Sequence, residues 1–163
     1  MTAPSLNLQQ RQRMAIWLFF CCGLIVLMVV LGGVTRLTGS GLSIVEWKPV
    51  TGVIPPLNEA EWQAAFADYQ QFPEFKLKNA HLDLAGFQAI YWLEYAHRLL
   101  GRLIGLAFIV PLLGFWWAGY FKQQRRMLVS LAVLFVLGGM QGLLGWYMVK
   151  SGLVANPAVS QYR

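Results

Sequence analysis

From Ala15 to Gly33 the chain reads AIWLFFCCGLIVLMVVLGG without one charged side chain. That is close to the ~20 residues a helix needs to cross ~30 Å of hydrocarbon. The run exceeds the ~7 to 15-residue apolar core of a cleaved secretory signal, and no small-x-small cleavage site follows it. It is therefore expected to stay in the protein as a first membrane span, residues 15–33. With 57% hydrophobic and only 12% charged residues, the whole 163-residue chain lies outside the composition of a water-soluble domain.

Two further apolar stretches follow. Phe87 to Tyr120 is interrupted only by Gln88, Glu94, His97, Arg98 and Arg102, and as one helix it would reach ~50 Å, too long for the bilayer alone. The expectation is a long helix over 85–120 that emerges at the outer surface through about His97, forms the second span beyond it, and bends at Pro111. Met127 to Val149 is the third span. Arg11 and Arg13 precede the first span, and Lys122, Arg125 and Arg126 join the second and third. The connection over 34–84 instead carries four basic and six acidic side chains. The basic side is the cytoplasmic one. Residues 1–14 are thus read as a cytoplasmic tail, 34–84 as an outer (periplasmic) loop, 121–126 as a cytoplasmic loop and 150–163 as a second outer segment. The net charge of +6 is mostly this topology signal, and nucleic acid is not implied as a partner. Membrane lipid is.

Inside the outer loop, Gly32, Gly33, Gly39 and Gly41 open the chain into turns, Pro49, Pro55 and Pro56 punctuate its middle, and Asn58 with Glu61 resembles a helix cap. Trp62, Ala65, Phe66 and Tyr69 then recur at helical spacing, predicting an amphipathic helix over about 59–72 that packs on other helix ends, lies on the membrane or lids a site. Cys21 and Cys22 are adjacent in mid-span, a spacing that does not close a relaxed disulfide, and read as small buried apolar residues. No GxGxxG, Walker loop or paired CxxC occurs.

Ionisable groups within an apolar helix are costly and point to function. Glu94 and His97 lie three residues apart on one helix face, with Gly101 and Gly105 further along it. A neutral imidazole above missing side chains would let a flat porphyrin lie on the helix with its metal on the His97 nitrogen. The same glycines also suit a small-xxx-small packing patch, with His97 bonding across the bundle. Arg36, Arg98 and Arg102 supply guanidinium groups suited to haem propionates, and Arg36 equally suits interfacial anchoring. Gly138, Gly139, Gly142 and Gly145 in the third span suit close helix contact or, alternatively, contact with a haem ring. A di-iron carboxylate site would need a second Glu-x-x-His pair and two more acids, and no other acidic residue occurs in any span.

Four stretches resemble the haem A synthase family in its mitochondrial and proteobacterial form. They are Gly32-Gly33-Val34-Thr35-Arg36-Leu37-Thr38 with Ser40-Gly41-Leu42-Ser43; Gln71-Phe72-Pro73-Glu74-Phe75-Lys76; Glu94-Tyr95-Ala96-His97-Arg98-Leu99-Leu100-Gly101-Arg102; and Gln141 through Gly152. The resemblance covers nearly the whole chain. It implies a membrane enzyme of two similar four-helix bundles that oxidises the C8 methyl group of haem O to the formyl group of haem A for cytochrome oxidase, with oxygen from water. It implies further that the amino-terminal bundle holds the substrate haem and the carboxyl-terminal one a haem b. Glu94 matches the glutamate implicated in catalysis, and His97 an axial, iron-binding ligand. An electron acceptor, and an encounter with the farnesyltransferase that makes haem O, are implied as partners. The expected place is the bacterial inner (plasma) membrane.

Family members continue past the position of Arg163 into a fourth helix carrying the partner histidine. The expected fold is therefore an all-α integral membrane protein, three transmembrane helices of an incomplete four-helix bundle with a long helical outer loop. Association into a homo-oligomer is one way to supply the missing helices, and a non-catalytic haem-binding or oxidase-assembly subunit is the alternative function. The family branch with a cysteine pair in the first outer loop is not matched, since Cys21 and Cys22 lie in the first span.

Overall fold

The computed structural model describes residues 6–45 and 51–154. The first residues of the expected amino-terminal tail, Pro49, and the last part of the second outer segment lie outside these. Four α-helices follow in order: α1 (Leu8–Leu37), α2 (Glu59–Gln70), α3 (Leu84–Trp117) and α4 (Arg125–Val154). Among the described residues there is no strand, and α1, α3 and α4 are long and apolar enough to cross a membrane. Ile16, Phe19, Val29, Val110, Val136 and Leu143 are each more than half exposed, the pattern of helices whose solvent is lipid. The protein is a multi-pass membrane protein of the all-α class.

Helix α1 starts well before the first span of the sequence reading. The Gln10 N–H donates to Asn7 Oδ1 (2.8 Å) and the Asn7 N–H to Gln10 Oε1 (3.0 Å). This reciprocal capping box satisfies two N-terminal donors and lets the helix begin inside the polar tail. At the other end Gly39 takes φ +66°, and the Ser40 N–H reaches back to the Thr35 carbonyl at 2.9 Å. This is a Schellman termination, in which a residue without a Cβ enters the left-handed region at no steric cost. Gly119 (φ +79°) ends α3 in the same way, with the Tyr120 N–H bonded to the Phe115 carbonyl at 3.0 Å. The turn expected over 121–126 accordingly runs from Ala118 to Gln124, and α4 starts at Arg125.

The chain divides into two compact units, one of residues 1–28 and 100–143, the other of residues 29–99 and 144–163. In the first, Met14, Trp17 and Cys21 make a stripe on α1 that packs with Leu112, Tyr120, Phe121 and Leu131. Trp17 sits within 5.1 Å of Phe108 and 5.4 Å of Phe115, centroid to centroid. Pro111 lies inside α3. Having no N–H, it leaves the carbonyl of Ala107, four residues earlier, without its helical partner. The Trp17 indole N–H takes that place at 2.8 Å, with the Cys21 thiol a weaker second donor at 3.8 Å. In hydrocarbon no water could do so. Cys21 is thus buried as expected, whereas Cys22 is exposed and both thiols are free.

In the second unit α2 is capped as the sequence suggests. Asn58 Oδ1 accepts from the Glu61 N–H (2.9 Å), and Glu61 accepts in turn from the Leu57 N–H (2.8 Å). Its aromatic side packs on the first turns of α3. Tyr69 stacks on Phe87 at 5.3 Å, and Trp62 meets Tyr91 edge-on at 4.9 Å. A π-helical turn, Phe75–Asn79, follows, which periodicity does not foretell. It brings the Asn79 amide to 2.7 Å from the fully buried Tyr69 hydroxyl, to which it donates.

Two outcomes follow. Trp17→Phe should lower stability by about 1 kcal/mol, read from denaturant unfolding in detergent. That cost should shrink in a Pro111→Ala background, where residue 111 regains an N–H for Ala107 and only the packing loss remains; an equal cost in both backgrounds would refute the replacement. Burial, above all, holds the Tyr69 hydroxyl above the ordinary tyrosine value of 10.0, with the Asn79 hydrogen bond opposing and Glu74 and Glu94 adding to the rise. Its contribution is complete below the unfolded value and is lost as pH rises through the higher folded one. Tyr69→Phe should therefore flatten the alkaline arm of a stability-against-pH curve.

Candidate functional site

The site begins with the end of α1. Once Gly39 has turned the chain, Ser40 is fully buried, its hydroxyl 2.6 Å from that of Thr38. Leu42 and Ser43 follow it inward, both buried. This short segment carries Ser43 and Ile44 to the side of α3, where Glu94 lies 2% exposed. Ser43 Oγ donates to Glu94 Oε2 at 2.7 Å and the Ile44 N–H to the same oxygen at 2.9 Å. Glu94 Oε1 accepts from Arg98 Nε at 3.0 Å and from Arg98 Nη2 one helical turn on. Arg98 Nη2 also donates to the Ile44 carbonyl at 2.9 Å. Both carboxylate oxygens are thus engaged, always as acceptors, and the pair is buried, 12% and 3% exposed on Arg98 and Glu94 respectively. Charge-assisted bonds of this kind are roughly twice as strong as neutral ones.

One turn along α3, His97 is half-buried. Among the described residues neither of its ring nitrogens makes a hydrogen bond, so it does not bond across the bundle. Its neighbour on α1 is Gly32, with the Nε2 atom 3.1 Å from where a Cβ would stand. A donor set of one unspent imidazole nitrogen beside guanidinium-bearing helices fits a haem.

The other sequence candidates fall as follows. Arg36 occupies the last turn of α1 with an exposed side chain. Arg98 is drawn to Glu94 first. Gly101 and Arg102 belong to the other compact unit. There Gly101 faces Met28, whose terminal methyl lies 3.2 Å from the position of a Cβ. That is the small-residue packing alternative. Gly105 meets nothing within 4 Å, and the same holds for Gly138, Gly139, Gly142 and Gly145. The close helix contact expected at the four glycines of α4 is therefore not formed, because no other backbone or side chain approaches that stripe among the described residues. No cluster of three or more His, Cys, Asp or Glu able to hold a metal ion occurs among the described residues. The residues around Glu94 that have no role in the sequence reading are Ile44, which donates through its backbone, and Ser43, one of many hydroxyls in a turn-rich stretch. The signal available for Ser43 was a small polar residue held just past a helix-ending glycine.

Residues 15–163 match the COX15-CtaA family, described as cytochrome oxidase assembly protein. A protein of Paramagnetospirillum magneticum named "Heme A synthase" is 55% identical over 149 residues, covering 91% of this chain and 42% of the relative. One of Nitrosospira multiformis with the same name is 55% identical over 153 residues, covering 91% and 41%. One of Rickettsia bellii, also so named, is 51% identical over 147 residues, covering 90% and 43%. The chain spans about two fifths of the length of these relatives. No solved structure matches it. The matched region runs from the start of the first apolar run to the last residue and takes in the whole Glu94 site: the chain belongs to the COX15-CtaA family of cytochrome oxidase assembly proteins.

Proposed function

We propose that this chain supplies the substrate-haem part of a haem A synthase, which oxidises the C8 methyl group of haem O to a formyl group for cytochrome oxidase. The observation that carries this reading is a single face of α3. It presents an imidazole not spent on any hydrogen bond three residues from a buried, fully engaged carboxylate. Relatives at about half identity bear the name of that enzyme.

In this reading haem O binds as substrate with its iron on His97. Electrons and protons leave the methyl carbon for an acceptor, and the new oxygen comes from water. Positive charge develops at that carbon, and a fixed anion beside it lowers the barrier without reorganising during the reaction. Glu94 suits this role because Ser43, Ile44 and Arg98 hold its carboxylate in one orientation. The same contacts argue against a mobile proton shuttle, since both oxygens are already accepting. Arg98 serves Glu94, and Arg36, in the last turn of α1, is proposed beside it as a propionate cation. Gly101 and Arg102 enter the proposal by register along α3 alone, as a ring face and a further propionate cation. A haem b belongs, by family, to the remaining length of the relatives. The Lys and Arg distribution supports a cytoplasmic amino terminus, and the family resemblance a bacterial inner membrane. The partners proposed by family resemblance are the haem O-forming farnesyltransferase and an electron acceptor, and a second copy of the chain is proposed as a source of further helices.

Glu94→Gln, made in the full-length protein, places an amide N–H2 among donors and is expected to reduce haem O turnover by about 100-fold; unchanged turnover would remove Glu94 from the mechanism. Ser43→Ala should cost about 10-fold, through one lost donor. Glu94→Ala leaves Arg98 buried without its carboxylate and should destabilise by about 3 kcal/mol. His97→Ala should abolish the haem absorption spectrum of the purified protein, and an identical spectrum would end the axial-ligand assignment. Bound haem with no turnover in the wild-type full-length protein would favour the haem-binding assembly subunit instead.

A further inference from the structure

Gly32 and Gly33 stand side by side in α1, yet they meet different surroundings. A Cβ at Gly32 would lie 3.1 Å from His97 Nε2 and 3.5 Å from His97 Cδ2, with no other atom within 4 Å. The imidazole therefore turns its Nε2–Cδ2 edge toward the bare backbone of residue 32. A Cβ at Gly33 would meet nothing within 4 Å. Glycine within a helix is less favourable than alanine by up to about 1 kcal/mol, and at position 32 the contact with His97 gives that glycine a use.

We infer that Gly32 is a positioning residue for His97, its missing side chain setting where the imidazole edge and its Nε2 atom come to rest beside α1. This inference rests on the haem site proposed above. A separation of 3.1 Å is tighter than nine in ten real Cβ contacts, so with alanine at 32 the ring must give way by a few tenths of an ångström. For a packing contact alone such a shift is minor. For a metal ligand it is not, because the bond is short and directional, and changes to groups that orient a ligand typically weaken metal binding 10 to 100-fold.

The test uses the full-length protein in detergent, with Gly32→Ala and Gly33→Ala compared. Both replace glycine by alanine at adjacent helical positions, so they share the same change in helix propensity, and only the first touches His97. Gly32→Ala is expected to lower haem retention by about 10-fold and to shift the low-temperature electron paramagnetic resonance of the retained haem, while Gly33→Ala keeps the wild-type content and signal. Wild-type retention and signal in Gly32→Ala, with His97→Ala devoid of haem, would overturn the inference and leave the site intact. Wild-type haem in His97→Ala would instead overturn the site.

A haem-free measurement covers the case in which Gly32→Ala folds poorly. Removing the ring makes room, so Gly32→Ala should depress the unfolding temperature in the wild-type background and not in a His97→Ala background. An equal depression in both backgrounds would show that the crowding is not with His97 and would refute the inference.

Discussion

The carboxylate of Glu94 is the point on which the connection between α1 and α3 depends. A charge on a largely apolar helix is tolerable only where donors surround it, and here the donors come from three sources. Arg98 lies one turn along the same helix, Ser43 offers a hydroxyl, and Ile44 offers a backbone N–H. Two of these belong to the segment that leaves α1 through the left-handed turn at Gly39. The carboxylate therefore fastens that segment while the segment holds the carboxylate still. Arg98 closes the loop by donating to the Ile44 carbonyl as well. The same set of bonds serves folding and, in the proposed chemistry, the orientation of a charge beside the reacting carbon.

A second consequence of the lipid environment appears at Pro111. In water an orphaned helix carbonyl is hydrated at little cost; in hydrocarbon it needs a protein donor. Trp17 supplies one, through an indole already buried against Phe108 and Phe115. Here an aromatic side chain gives packing area and a hydrogen bond at once. The two compact units thus use the same rule in different ways. One satisfies a charge, the other a backbone carbonyl.

Much of this was legible in the chain itself. The three spans, the α2 cap at Asn58 and Glu61, and the face shared by Glu94 and His97 follow from periodicity and local hydrogen-bond chemistry, which act within a few residues. Helix limits depend on more than the apolar runs. The capping box at Asn7 and Gln10 carries α1 into the polar tail, because a helix stops where its caps are and not where hydropathy falls. The glycines of α4 suggested close contact, but small residues permit approach without causing it.

By itself the sequence determined the class of solvent, the number of spans and the residue types of the site, since each depends on composition and on spacing along one helix. What surrounds those residues was left to the tertiary structure. That Arg98 serves Glu94, that Ile44 contributes a backbone N–H, and that His97 rests on Gly32 while Gly33 faces nothing are facts about residues up to 65 positions apart brought to within hydrogen-bond or van der Waals distance. No local pattern encodes such meetings, because they are fixed by how one helix turns its faces toward another.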